Sequence, residues 1–256
     1  MRVLAWLYLA LMFGFIFLPV GVLVLFSFQD GRLPVPPFNG PSLRWYADVL
    51  ADRRLMSGLA NSLMVAGLSS AVALVLGFLA AQGLARYRLP GTALLRVVLI
   101  APLTVSYLII ALGLLTLYNR ADVGLSLWTA GIGHVVINLP LCFAILYAAM
   151  GEHQRAAEQA ARDLGASEWR VMALITAPMM MPAMLAAYFL AFTFSWDEFI
   201  IAFLLTRFDV TLPVEIWSLL RSGLTPRANA IGSLVFLVSV AVVIVLQLVL
   251  VRRLRR

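Results

Sequence analysis

The sequence predicts an all-α integral membrane protein with six transmembrane helices. Two observations lead there. The 256 residues are 63% hydrophobic and only 12% charged, where a soluble domain carries about a quarter charged residues, and the mean hydropathy is +0.98. Six windows are also free of charge, between Arg2 and Asp30, Arg54 and Arg86, Arg96 and Arg120, Asp122 and Glu152, Arg170 and Asp197, and Arg227 and Arg252. Each can hold the roughly 20 residues that a helix needs to cross about 30 Å of hydrocarbon. Helices are the expected form, since a lone apolar segment in lipid must satisfy its own backbone hydrogen bonds. Six spans and their connections use nearly the whole length, so the chain reads as a single transmembrane domain over 1–256.

The first span is expected at 4–28. Its apolar run reaches Phe28, too long for a signal peptide, and no small-residue cleavage pattern ends it, so it reads as retained. Pro34, Pro36, Pro37 and Pro41 then break any helix, and Trp45 and Tyr46 follow. That pattern predicts an outer loop leading into a short interfacial helix. The second, third and fourth spans are expected at 57–85, 95–118 and 125–150. In the fourth, Asn138 and Pro140 predict an interhelical hydrogen bond and a kink. A polar stretch, 152–177, precedes a fifth span at 178–205 and a sixth at 228–251. The tail Arg252, Arg253, Arg255 and Arg256 reads as an anchor on anionic lipid.

The net charge of +7 comes wholly from arginine, because the chain has no lysine. A P-loop needs its Lys to reach the phosphates and Schiff-base catalysis needs one too, so ATP chemistry would have to sit on another chain. The single Cys142 excludes an internal disulfide. The basic excess lies at span ends, where topology explains it better than nucleic acid does. With both termini inside, the inner face holds Arg2, Arg86, Arg88, Arg96, Arg155, Arg162, Arg170 and the tail. The outer face holds Arg32, Arg44, Arg53, Arg54, Arg120, Arg207, Arg221 and Arg227. The bias points to cytoplasmic N- and C-termini and puts the stretch 152–177 in the cytoplasm.

Within that stretch, Glu158-Gln159-Ala160-Ala161-Arg162-Asp163-Leu164-Gly165-Ala166-Ser167 forms a polar island, followed by Ile175 and Pro178. Small residues at Ala160, Ala161, Gly165 and Ala166 suit close backbone approach to a partner. Gly165 can end a first helix in the left-handed conformation, Ser167 can cap a second starting at Glu168, and Pro178 and Pro182 bracket the return to the membrane. These positions resemble the cytoplasmic loop of permease subunits in binding-protein-dependent ABC importers. That loop reads Glu-Ala-Ala, three residues, Gly, nine residues, then Ile-x-Leu-Pro. Gln159 takes the family's Glu position, with Glu158 one place earlier, and Ala177 takes its Leu position.

The resemblance covers most of the chain. Ser27-Phe28, Leu43-Arg44-Trp45-Tyr46, Asn61-Ser62-Leu63, Gly83-Leu84-Ala85-Arg86-Tyr87 and Pro90-Gly91 look like the family's opening half. Ser195-Trp196-Asp197-Glu198-Phe199, Thr211-Leu212-Pro213-Val214-Glu215-Ile216-Trp217-Ser218, Gly223-Leu224-Thr225-Pro226 and Asn229-Ala230 resemble its spermidine/putrescine permease C branch. Opine and amino-compound importers share that branch. The resemblance implies a type I ABC importer permease fold, like that of the methionine-importer permease, in a bacterial inner membrane. It also implies a homologous second permease, two ATPase subunits that bind ATP and Mg, and a periplasmic substrate-binding protein. This chain would then carry no cofactor, metal or catalytic residue. ATPase coupling would fall to Glu158, Gln159, Ala160, Ala161, Gly165, Ile175 and Pro178.

Asp197 and Glu198 interrupt an otherwise apolar run from Val171 to Leu205. At 1.5 Å per residue from Pro182, Asp197 lies roughly 22 Å along the fifth span, in the outer half of the membrane. A carboxylate there is costly unless paired or hydrated, which makes it a candidate for function. On a regular helix the two acids point about 100° apart, so one faces the pathway, and Asp197 is the favoured one. Such an acid suits a passing amine, and the resemblance agrees, since polyamine-type relatives carry paired acids here. Trp196 and Tyr107 complete the candidate pathway set. After Pro102, polyamine-type relatives show Pro followed by an acid, where this chain has Ser106 and Tyr107. That departure keeps open a monoamine, an amino acid derivative or an opine.

His134 has no evident partner in sequence and reads as structural, and Met179-Met180-Met181 as adaptable packing. Two rivals come from other classes. An intramembrane hydrolase needs a Ser nucleophile in a Gly-x-Ser-x-Gly-type turn with a His base, and neither Gly67-Leu68-Ser69 nor Gly124-Leu125-Ser126 continues that way. A stand-alone carrier would not need the polar island.

Overall fold

The computed structural model describes residues 2–87, 89–223 and 225–254. The expectations placed on Arg88, Leu224, Arg255 and Arg256 lie outside the described residues, as do the side chains of Arg252 and Arg253. The described chain is helical apart from an isolated bridge between Gln29 and Pro41. It divides into two compact units, Met1–Leu59 with Leu212–Val243, and Ala60–Thr211 with Ile244–Arg256.

In the first unit, α1 (Arg2–Ser27) leads into a loop gathered around Gln29. The Gln29 side chain donates to Pro37 O at 3.0 Å and Val35 O at 3.2 Å and accepts from Asn39 N at 2.8 Å, while Gln29 O accepts from Trp45 Nε1 at 2.8 Å. The interfacial helix α2 (Arg44–Ala51) follows, then α3 (Arg53–Arg86), whose first turns belong to this unit. Asp52 accepts from the Arg54 and Leu55 amides and pairs with Arg227 at the start of α12 (Pro226–Leu254). Before α12 in the same unit comes α11 (Leu212–Ser222).

The second unit takes the rest of α3, then α4 (Thr92–Ile100), a 3₁₀ turn Ala101–Thr104, α5 (Tyr107–Arg120), α6 (Leu127–Ala149), α7 (Glu152–Asp163) and α8 (Glu168–Val171). A π turn, Met172–Thr176, leads to α9 (Ala177–Trp196) and α10 (Ile200–Leu205). Its spine is α6. One side of α6 presents Cys142, Phe143 and Leu146 to Ala73, Phe78 and Ala81 of α3 and to Met180, Ala187 and Ala191 of α9. The other presents Ala130 and Ile137 to Ala111 and Tyr118 of α5 and to Ile201 and Leu205 of α10.

Among the described residues, five helices are long and apolar enough to cross a membrane: Leu4–Ser27, Arg53–Arg86, Leu127–Ala149, Glu168–Trp196 and Pro226–Val245. A sixth candidate is a bent pair, Thr92–Thr104 with Tyr107–Arg120, at 104°. The third span, expected as one helix at 95–118, is thus replaced by this bent pair. Pro102 sits in the first turn of the 3₁₀ segment, and Val105 and Ser106 adopt extended backbone (ψ 137° at both), so the helix restarts in a new direction. The expected kink at Pro140 does not break α6, which runs 23 residues through it. The Asn138 side-chain amide nitrogen is buried and makes no hydrogen bond among the described residues.

Helices in lipid associate through close packing rather than water exclusion, which favours small residues at contacts. Gly77 is such a place, because a Cβ there would lie 2.8 Å from Cys142 Cβ and 2.9 Å from Phe143 N. Gly77→Ala is expected to lower stability by about 1–3 kcal/mol through overpacking. Gly83→Ala on the same helix meets nothing within 4 Å and is expected to raise stability by about 0.5–1 kcal/mol through helix propensity. Thermal unfolding of the two variants in detergent, moving in opposite directions, checks this.

Candidate functional site

The polar island folds as a helix, a glycine turn and a second helix. α7 ends in a Schellman motif, in which Gly165 N donates to Arg162 O at 2.8 Å and Ala166 N to Ala161 O at 3.0 Å. Gly165 takes φ 85°, the left-handed value this turn needs. Ser167 stands at the N-cap of α8 with extended backbone, but its hydroxyl makes no capping bond, which corrects the expected role. A different side chain straps the turn. Arg162 Nε and Nη2 donate to Glu168 at 2.7 and 3.0 Å, and Tyr87 Oη donates to the same carboxylate at 3.1 Å. Hydrogen bonds from Arg162 hold the Glu168 carboxyl below the usual carboxylate range. The strap is therefore complete above the unfolded carboxylate pKa and is lost as pH falls through the folded one.

Gln159, Ala160, Gly165 and Pro178 are exposed, and Ala161 and Ile175 are half-buried. Three large apolar side chains join them in the open, Leu164 at 89%, Trp169 at 72% and Leu174 at 68% exposure. None was singled out by the sequence pattern. Their signal was an apolar residue in each turn of an otherwise polar stretch. Glu158 is different, being fully buried. Arg86 Nε reaches its Oε2 at 2.7 Å, Arg86 Nη2 its Oε1 at 3.3 Å, and Thr176 Oγ1 its Oε1 at 2.9 Å. Glu158 thus belongs to the interior rather than to the exposed surface of the island.

The acids of the fifth span do not sit on one regular helix. The run Glu168–Trp196 stops at Trp196, and Asp197–Phe199 separate it from α10. Trp196 is buried, Asp197 is exposed, and Glu198 is buried. Glu198, the residue before the N-cap Phe199, accepts from Ile201 N at 2.9 and 3.0 Å and from Ala202 N at 3.2 Å, so its side chain takes up free amides at the start of α10. A break inside hydrocarbon leaves backbone amides without water, and a carboxylate is a strong acceptor for them. Tyr107 starts α5 after the other break and packs against the cluster containing Ile201 and Leu205. The structure therefore gathers Tyr107, Trp196, Asp197 and Glu198 around α10 and sets the island residues apart.

His134 has partners that no local pattern announces. Its Nδ1 lies 2.5 Å from Ser195 Oγ, and its Nε2 lies 3.6 Å from Glu198 Oε2. Ser195 Oγ also meets Ser69 Oγ at 3.1 Å, so a buried polar chain links α3, α9, α6 and the break. Ser69 also lines an apolar cleft of about 170 Å³ with Leu68, Trp128 and Ile132. A serine, a histidine and a glutamate meeting invites comparison with a hydrolytic triad. Here the Glu198 carboxylate is engaged by α10 amides, Ser195 is shared with Ser69, and the three residues are 4%, 0% and 5% exposed. An acyl substrate has no access to that serine. Among the described residues no group of three or more His, Cys, Asp or Glu could hold a metal ion.

Comparison with known proteins places these features in context. Residues 73–256 match the family described as binding-protein-dependent transport system inner membrane component. The chain is 35% identical over 243 residues to the putrescine transport system permease protein PotI of Escherichia coli (strain K12), covering 90% of this chain and 85% of that one. It is 27% identical over 244 residues to the spermidine/putrescine transport system permease protein PotC of the same strain, covering 94% and 92%. Its fold matches a chain of a bacterial alginate ABC transporter, crystallised in complex with its alginate pentasaccharide-bound periplasmic protein, at a TM-score of 0.71 and 17% identity over 96% of this chain and 92% of that one.

Glu198→Ala is expected to cost about 2 kcal/mol, since it strands the two buried amides at the start of α10. Asp197→Ala, at the exposed neighbour, is expected to stay within about 0.5 kcal/mol. Thermal unfolding of both variants in detergent separates them.

Proposed function

This chain belongs to the family of binding-protein-dependent transport system inner membrane components, and from that premise we propose that it carries a small amine-bearing solute, a polyamine such as putrescine or spermidine, into the cell. As a family member it is a multi-pass, non-enzymatic transmembrane subunit of an ABC importer of the inner membrane. ATP is bound by a separate ATPase, and a periplasmic binding protein delivers the solute. The observation that carries the polyamine reading is the helix break, which exposes Asp197 where the apolar run is interrupted. An exposed carboxylate at such a break suits an ammonium group by charge. Similarity to permeases named for putrescine and spermidine supports the same choice.

One observation favours a singly charged solute over a polycation. Glu198 is committed to the α10 amides, leaving Asp197 as the exposed acid of the pair. A monoamine, an amino acid derivative or an opine fits that count.

The exposed island, with Leu164, Trp169 and Leu174 around the Gly165 turn, is the surface we assign to the ATPases. The partner set would be a homologous second permease, two ATPase subunits and the binding protein, with both termini in the cytoplasm as the arginine bias suggests. Nucleotide-driven closure of the ATPases would move the island and switch the pathway between outward and inward access.

Affinity purification from the native membrane in mild detergent tests the machine. A second permease and a P-loop ATPase are expected with the wild-type chain. The ATPase is expected to be absent with Gly165→Arg, which adds charge and a Cβ at φ 85° to the exposed turn while meeting no neighbour within 4 Å. A chain that comes out alone refutes the reading. For the solute, Asp197→Asn is expected to lower uptake of labelled putrescine at least about tenfold, the loss of about 1.4 kcal/mol of binding, with normal assembly. Unchanged uptake refutes the role of Asp197.

A further inference from the structure

Glu158 is the one residue of the island that points away from the surface. Its carboxylate joins two membrane helices from inside the cytoplasmic segment. Arg86 is the last residue of α3, and both of its bonding nitrogens engage Glu158. Its Nη2 also lies 3.4 Å from Gly151 O, at the start of α7. Thr176 closes the π turn and stands one residue before α9. The extra residue of a π turn rotates the side chains that follow, and such turns recur at functional places in helices. Here the turn lets Thr176 Oγ1 reach Glu158 Oε1 at 2.9 Å.

The same two helices are tied a second time. Ser69 of α3 meets Ser195 of α9 at 3.1 Å, and Ser195 continues to His134 and Glu198 at the break. Seventeen residues of α3 separate Ser69 from Arg86, and nineteen separate Thr176 from Ser195. At 1.5 Å per residue the two ties lie roughly 25–29 Å apart along the two helices. Two stiff rods joined at two points transmit a displacement from one joint to the other. The helical run Glu168–Trp196 is unbroken between its joints.

We infer that Glu158, held by Arg86 and Thr176, is a positioning residue that relays movement of the exposed island to the Asp197–Phe199 break. This rests on the importer reading and deepens it, because it assigns a lever inside this chain to couple ATPase motion to the pathway. Glu158 touches neither the solute nor, being fully buried, a partner surface. The lower joint carries charge because two helices and a cytoplasmic helix must move as one. A buried, fully hydrogen-bonded ion pair resists separation, since either partner left alone is an uncompensated buried charge.

The test uses the assembled importer with its ATPases. Cys142→Ser removes the native thiol, and Asp197→Cys reports on the break through its labelling rate with a water-soluble maleimide. With the joint intact, trapping the ATPases with ATP and vanadate is expected to change that rate by about fivefold or more. Thr176→Val removes one arm of the joint and leaves the ion pair in place. It is expected to abolish the response while ATP hydrolysis stays within about twofold of the parent, and Thr176→Ser is expected to restore it. Glu158→Gln, which loses the charge, is expected to behave as Thr176→Val does. The proposal is overturned if Thr176→Val keeps the full response. It is also overturned if hydrolysis falls in parallel with the response, since that marks a loss of docking or folding. A wild-type complex, with Asp197 and Cys142 in place, that hydrolyses no ATP refutes the importer reading itself, a result distinct from either.

Discussion

A chain that crosses hydrocarbon finds no water for the backbone groups it leaves unpaired, and each irregular feature in the second unit answers that constraint. α10 shows it most plainly. Six residues long, it has free amides at one end and free carbonyls at the other. Glu198 takes the Ile201 and Ala202 amides, and Thr129 Oγ1 of α6 donates to Leu205 O at 2.8 Å. The helix that follows the break therefore stands only because acceptor and donor come from fixed places. Of the two adjacent acids, Glu198 is the one the backbone needs. Its exposed neighbour is left for other work.

The same constraint explains how the helices hold one another. Apolar surface alone does not drive helices together in lipid. The contacts here combine glycine-permitted approach with short polar ties. Gly77 brings α3 against Cys142 and Phe143, and Gly133 brings α6 to Ile201, where a Cβ would lie 2.5 Å away. Ser69, Ser195 and His134 supply a directional tie across three helices. Close packing fixes distance and the polar ties fix register, which matters for a molecule whose helices are to move together and return.

Much of this was legible in the sequence. Charge-free windows locate the long helices, because burying arginine or a carboxylate in lipid is costly enough to leave gaps in the charge pattern. The island was legible too, since Gly165 and the small residues around it specify a turn chemistry that the Schellman motif bears out. What was hidden depended on neighbours distant in sequence. The 104° bend at Val105 and Ser106 lies in a charge-free stretch whose local signs are Pro102 and the small polar residues Thr104 and Ser106. The break after Trp196 carries two acids, which read as polar residues on a helix rather than as its end. His134 looked solitary because its partners, Ser195 and Glu198, lie 61 and 64 positions away. Glu158 looked like a surface residue for the same reason, its partners being 72 and 18 positions away.

Glu158 and Gln159 show why one motif can serve two purposes. Consecutive residues on an α-helix point about 100° apart, so a pair set at the edge of a buried face divides between inside and outside. Gln159 is exposed and Glu158 is fully buried. The inward position must be an acid in this chain, because Arg86 and Thr176 both present donors to it and a buried arginine without a counter-charge is costly. The outward position has no buried arginine to neutralise within this chain, so an amide in place of a carboxylate costs its fold little. The departure from the family's Glu at that place therefore falls where the physics tolerates it. The charge that cannot be exchanged sits one residue earlier, facing the helices it joins.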